Sequence, residues 1–219
     1  MMQLKMRRPA SCPVPSIPVP EGFTIRSMRP GEEAAWANCC IGEFGIQEAS
    51  PEMFRARGMD QIPPERIFFI CKDDVPVATA TARDLDGEPY LHYIAVHPDW
   101  RGRKLSKPLI ARVLQMHAEN GLQGCWLTTD DFRVPAVSTY LSLGYRPLLW
   151  TDDARARWEK LLAILVIDST PAYNLPCEPA PDVTAKTVAR HQLCRRNQPF
   201  GAVTEDTRRR LFIFSRLSE

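Results

Sequence analysis

One stretch limits what this chain can fold into more than any other. It reads Leu91-His92-Tyr93-Ile94-Ala95-Val96-His97-Pro98-Asp99-Trp100-Arg101-Gly102-Arg103-Lys104-Leu105-Ser106. An apolar run over 91–96 predicts a strand. A His-Pro turn ends it, and a basic loop with one glycine follows. The spacing of Leu105, Leu109, Val113 and Met116 predicts a helix over 103–120, stopped by Gly121. A strand that runs through a short loop into a helix makes an anion site. The first helical turn holds backbone N–H groups without intrahelical partners, and the helix dipole adds partial positive charge there. Arg101, Arg103 and Lys104 put full positive charges at the same place, and a pyrophosphate fits.

The elements before this unit read in order. Phe23-Thr24-Ile25-Arg26-Ser27-Met28 alternates at period two and predicts the first strand. A helix is expected over 32–44, with Ala35, Cys39 and Phe44 facing inward, and a short one over 51–57. Strands follow at 66–71 and 75–83, so an antiparallel meander feeds the 91–96 strand. Beyond Gly121 a strand is expected at 124–129, a helix at 135–143, a strand at 145–150 and a helix over 152–166. His92 and Tyr93, as neighbours in a strand, are expected on opposite faces of the sheet.

The segment from Thr129 to Tyr145 is the second specific signal. Ala136 and Tyr140 are four apart and share one helix face, and Gly144 ends the helix. A small residue at Ala136 lets that face approach a ligand, with the Tyr140 hydroxyl beside it. Together the two stretches resemble the GNAT-type acyl-CoA N-acyltransferases. The loop is similar to that family's Arg/Gln-x-x-Gly-x-Gly/Ala pattern, from Arg101 to Ser106. Lys104 stands where the family usually has glycine, and Ser106 where it has glycine or alanine. The later segment is similar to Asn-x-x-Ala-x-x-x-Tyr-x-x-x-Gly-Phe, with Arg133 at the asparagine position and Ala136, Tyr140, Gly144 and Tyr145 on matching ones.

The resemblance implies a mixed α/β fold: a central, mostly antiparallel twisted sheet flanked by helices. It covers roughly residues 23–166 and neither end, where proline content sets the chain apart, so three parts are expected: a Pro-rich arm or strap over 1–22, the acetyltransferase domain over 23–167, and a partly ordered C-terminal extension over 168–219. It also implies that the fourth and fifth strands splay around the pantetheine of acetyl-CoA, a cosubstrate. Ile94 and Val96 would then pair with the pantetheine. The pyrophosphate would rest on Arg101, Gly102, Arg103, Lys104, Leu105 and Ser106, with Ala136 close to the cofactor. The implied reaction is direct transfer of an acetyl group to a primary amine of a small molecule or peptide.

Tyr140 is implied as the group that serves the departing thiolate, with a buried core tyrosine as the other reading. His92 is a candidate base because its ordinary pKa, near 6.5, suits that work. A satisfied core histidine is the alternative, and Asp86 and Glu88 are candidates acting through water. The different-class alternative for the whole chain is a CoA-binding module without catalysis that acts through a protein partner.

Composition bounds the rest. A formal net charge of +2 over 219 residues gives no case for a nucleic-acid surface. The basic run Arg208-Arg209-Arg210 has Glu205, Asp206 and Phe214 around it, so no nucleic acid is expected. No apolar run is long enough to span a membrane, and the Pro-rich start lacks the apolar core of a signal peptide. Seven cysteines without a Cys-x-x-Cys spacing and four scattered histidines predict no metal site. That usage fits a reducing cytoplasm. A homodimer is left open.

Overall fold

A computed structural model describes residues 2–85 and 87–168. The expectations for Asp86 and for the extension beyond Asp168 lie outside the described residues. The chain divides into two compact units, one of residues 13–125 and one formed by residues 1–12 with the chain from Trp126 onward.

In the first unit four strands form the expected antiparallel meander: β2 (Phe23–Ser27), β3 (Ile67–Lys72), β4 (Val75–Leu85) and β5 (Glu88–Val96). Both faces of this sheet are covered, which is why β3 (Ile-Phe-Phe-Ile-Cys-Lys) is apolar almost throughout rather than alternating. On one face α1 (Glu33–Cys39) and α2 (Pro51–Ala56) bury Trp36, Cys39 and Phe54 against Ile67, Phe69, Cys71 and Ala95. On the other, α3 (Ser106–Glu119) buries Leu109, Ile110, Val113 and Leu114 and packs across β3, β4 and β5. Arg112 of α3 lies over the ring of Phe68, 4.8 Å from its centroid.

Two helix boundaries differ from expectation, each for a backbone reason. The α1 helix stops at Cys39 instead of running to Phe44, because Gly42, Phe44 and Gly45 are all left-handed (φ 77°, 54° and 71°). A right-handed helix cannot pass through such residues. Its inward residue is Trp36, fully buried, rather than Ala35. The α3 helix begins at Ser106 instead of Arg103, because Lys104 has φ 61°.

The strand β5 carries the largest departure. Thr79 pairs with Ala95 and Thr81 with His92, so three residues on β5 span what two span on β4. This is a β-bulge, with Tyr93 left-handed at φ 41°. Residues directly opposite in the register share a face, so Ala95 and His92, an odd number apart, lie on the same face. The strict alternation that puts His92 and Tyr93 on opposite faces therefore fails. Their ring centroids are 4.2 Å apart, and Tyr93 packs edge-on against Trp36 at 5.2 Å.

In the second unit the strand order is β6-β1-β7, with β6 (Cys125–Thr129), β1 (Leu4–Arg8) and β7 (Arg146–Leu148). Residues 1–22 are therefore not an arm throughout. Lys5, Met6 and Arg7 pair antiparallel with Leu148, Pro147 and Arg146. Leu4 and Met6 are fully buried, and the buried Arg8 donates from Nε to the Leu143 carbonyl at 2.8 Å. The helices α4 (Val134–Ser142) and α5 (Asp152–Asp168) complete this unit. Arg157 of α5 binds Asp131 at 2.9 Å and the Met2 carbonyl at 2.7 Å.

Cys39, Cys40, Cys71 and Cys125 are free, buried thiols. No helix among the described residues is long and apolar enough to cross a membrane.

Candidate active site

The basic loop joins β5 to α3. A single 3₁₀ turn at Pro98–Trp100 leads out of β5, and His97 Nδ1 accepts from the Asp99 amide at 3.4 Å. Gly102 is left-handed at φ 78°, and a Cβ built there meets no atom within 4 Å. The glycine is thus required by conformation, and the space above it is open. Lys104 takes the left-handed shape in which glycine is at ease, at a cost of about 1–2 kcal/mol for a residue with a side chain. It keeps the loop's backbone path where the GNAT pattern has glycine. Arg101, Gly102, Arg103 and Lys104 are all exposed, while Leu105 is buried and pins the start of α3.

No side chain caps α3. Its first amides lack the Ser, Thr, Asp or Asn oxygen that usually satisfies them, and the positive end of the dipole opens onto the loop. An anion is the natural partner for such an end. Two arginines are held in place around it. Arg103 lies over the Trp100 ring at 4.9 Å, and Trp100 packs edge-on against Phe23 at 5.7 Å. Arg101 donates from Nε to the Val96 carbonyl at 3.2 Å and from Nη2 to Glu43 at 2.8 Å. Glu43 sits in the tight turn after α1, where the Gly42 amide donates to the Ile46 carbonyl.

The bulged part of β5 forms a second cluster, on the face covered by α1 and α2. Tyr93 meets Phe44 at 4.9 Å. Burial pushes its phenol up, and the charge of Arg57 works against that shift. His92 Nε2 lies 3.3 Å from Arg83 Nη1. A guanidinium can only donate, so Nε2 accepts and Nδ1 carries the proton. Burial first, and the Arg83 charge second, bring the His92 pKa down to about 4. Such an imidazole is neutral at pH 7, its lone pair is engaged, and it is a weak base. The geometry favours the satisfied histidine over the general base.

In the other unit, Tyr140 lies on α4 and is buried, with its ring centroid 5.9 Å from that of the fully buried Tyr145. Arg133, at the position where the GNAT pattern has asparagine, binds Asp130 at 3.3 Å and stacks over the exposed Phe132 at 5.2 Å. Among the described residues no three His, Cys, Asp or Glu side chains gather as a metal site.

The acetyltransferase (GNAT) family model matches residues 34–145, which hold β3, β4 and β5 of the meander, the basic loop and α4. The chain belongs to the GNAT family. Among its relatives are the mycothiol acetyltransferases of Thermomonospora curvata, 32% identical over 152 residues, and Streptomyces bingchenggensis, 31% identical over 159 residues. These matches cover 65% and 64% of this chain and 50% of each relative, so the chain spans about half the length of the curated relatives it matches. A GCN5-related N-acetyltransferase from Sphaerobacter thermophilus superposes with a TM-score of 0.57 at 23% identity, over 66% of this chain and 47% of that one. That likeness supports the fold, a mixed α/β arrangement with a mostly antiparallel sheet flanked by helices.

Proposed function

We propose that this GNAT-family chain is an acetyl-CoA-dependent N-acetyltransferase that passes an acetyl group directly to a primary amine. One observation carries the reading: the uncapped start of α3 behind an exposed loop in which Gly102 and Lys104 are both left-handed and three cations converge. In this reading the pyrophosphate lies on the backbone from Arg101 to Ser106, and Ile94 and Val96 offer main-chain groups to the pantetheine. Ala136 gives α4 close approach. The neutral amine attacks the thioester carbon, a C–N bond forms as the C–S bond breaks, and the nitrogen gives up one proton while the departing thiolate takes one, leaving an amide and free CoA thiol. Tyr140 supplies the hydrogen bond or proton that the departing thiolate needs. The base acts through water, since His92 is engaged by Arg83.

The name of the curated relatives supports a small-molecule acceptor over a peptide. The cytoplasmic location is likewise our reading. The free, buried thiols of Cys39, Cys40 and Cys71 support it.

The test pairs a CoA-binding titration with an acetyl-transfer assay over a panel of amines, for the natural chain and for Tyr140→Phe. Expected are CoA binding, turnover, and a fall in turnover of roughly 10²-fold or more in the variant with little change in acetyl-CoA affinity. Binding without any turnover would replace this reading with the non-catalytic CoA-binding module acting through a partner. Near-natural turnover by the variant would take Tyr140 out of the chemistry and leave it as a core residue.

A further inference from the structure

The bulge in β5 brings a second pair of cations into play, and they bear on the acceptor. The turn after α1 and the bulge meet where Phe44, Trp36 and Tyr93 pack edge to face, at 4.9 Å and 5.2 Å. Two half-buried guanidiniums flank the adjoining His92–Tyr93 ring pair. Arg83 reaches His92 Nε2 at 3.3 Å from one side. Arg57 Nη2 stands 3.4 Å from where a Cβ on Gly45 would be, in the turn that carries Phe44, and its charge acts on the Tyr93 phenol.

Other arginines of the same unit have carboxylate partners. Arg26 binds Glu32, Arg29 binds Asp74, Arg55 binds Glu52, Arg101 binds Glu43 and Arg112 binds Glu119. Among the described residues of this unit Arg57, Arg66, Arg83 and Arg103 have none; Arg103 lies over Trp100, and of the rest Arg57 and Arg83 are the ones beside the bulge. The carboxylate on the turn beside Phe44, that of Glu43, is already held by Arg101 at 2.8 Å. A half-buried cation without a counter-ion is costly, and its partners here are a neutral imidazole and a phenol.

We propose that the acceptor amine carries an anionic oxyacid group, a carboxylate or a phosphate, and that Arg57 and Arg83 receive it. The inference rests on the N-acetyltransferase reading and names its substrate class. The planar guanidinium fork matches both kinds of oxyacid. The half-buried rings of Phe44 and Tyr93, backed by the buried Trp36, take the apolar body of the same molecule. A simple amine, cationic at neutral pH, meets two like charges beside these rings. An amine that brings its own anion meets complementary ones, and a site built for that anion rejects the analogue that lacks it.

The experiment uses the full chain and amine pairs that differ only in the charged group: an α-amino acid beside its α-amide, and phosphoethanolamine beside ethanolamine. kcat and KM are measured for the natural protein, Arg57→Gln and Arg83→Gln. The charged member of at least one pair is expected to be preferred by about tenfold or more in kcat/KM, mostly through KM, the scale of hydrogen bonds to a charged group. Which pair shows the preference distinguishes carboxylate from phosphate. Both variants should shrink the preference towards unity while acetyl-CoA affinity stays unchanged.

Equal turnover of the neutral members overturns the inference, as does a preference that survives in both variants. If no amine is turned over, calorimetric titration of the same pairs into CoA-loaded protein decides: equal affinities within each pair overturn it. These outcomes are distinct from a failure to bind CoA, which would sink the N-acetyltransferase reading itself.

Discussion

The N-terminal strand gives the most demanding test of the fold. Along β1, Leu4, Met6 and Arg8 are buried while Lys5 and Arg7 are only partly so. Met6→Ala removes a fully buried side chain from a strand that stands between β6 and β7. Large-to-alanine changes at such sites cost about 2–5 kcal/mol, because the transfer energy and the cavity add. In a chain of this size each kcal/mol is worth about 2–4 °C, so a fall in Tm of roughly 5–15 °C is expected. Leu4→Ala should match it. Lys5→Ala is the control: its Nζ sits 4.4 Å from the Trp150 ring centroid and 5.7 Å from that of Trp126. Losing that partly solvated contact costs about 0.5–1 kcal/mol. Urea unfolding followed by tryptophan emission suits the assay, since Trp158 of the same unit is fully buried. A loose arm would give small, equal effects at all three positions. A larger loss at Lys5 than at its neighbours would mean that the strand is shifted by one residue, which swaps its faces. Either result refutes the strand as described.

Two other predictions are more local. Lys104→Gly should stabilise the fold by about 0.5–1 kcal/mol by relieving the left-handed lysine, yet weaken CoA binding by removing a charge; a destabilised variant in denaturant titration would contradict the loop geometry. For His92, the folded pKa of about 4 lies below the ordinary 6.5, so the unfolded chain binds more protons between those values. Its contribution to stability is fully present above pH 6.5 and is lost as the pH falls to 4, at most about 3 kcal/mol. His117, also lowered chiefly by burial, acts in the same direction. His92→Gln should flatten the pH dependence of the urea midpoint in that window, and an unchanged slope would assign it to His117.

Much of this protein was legible in the residues themselves. Helical spacing marked α3, period-two alternation marked β2, and the strand–basic loop–helix order marked the unit from β5 to α3, because each of these is a local property of the chain. The turn beyond α1 had a local signal too, since Gly42 and Gly45 bracket Glu43 and Phe44. The alternation Leu4-Lys5-Met6-Arg7 was also a strand signal, but a run of five residues beside a Pro-rich segment says nothing of which strands it will join. That choice depends on partners more than a hundred residues away, Arg146 to Leu148. The bulge at Tyr93 is of the same kind: nothing in Leu91–Val96 breaks its alternation, and only pairing with β4 shows the extra residue. With the bulge, His92 and Tyr93 came onto one face and Arg83 engaged the imidazole, whose role the sequence had left open between a base and a satisfied core histidine. Local spacing decides which elements form; register and burial, which are properties of the folded assembly, decide which side chains meet and what state of charge they hold.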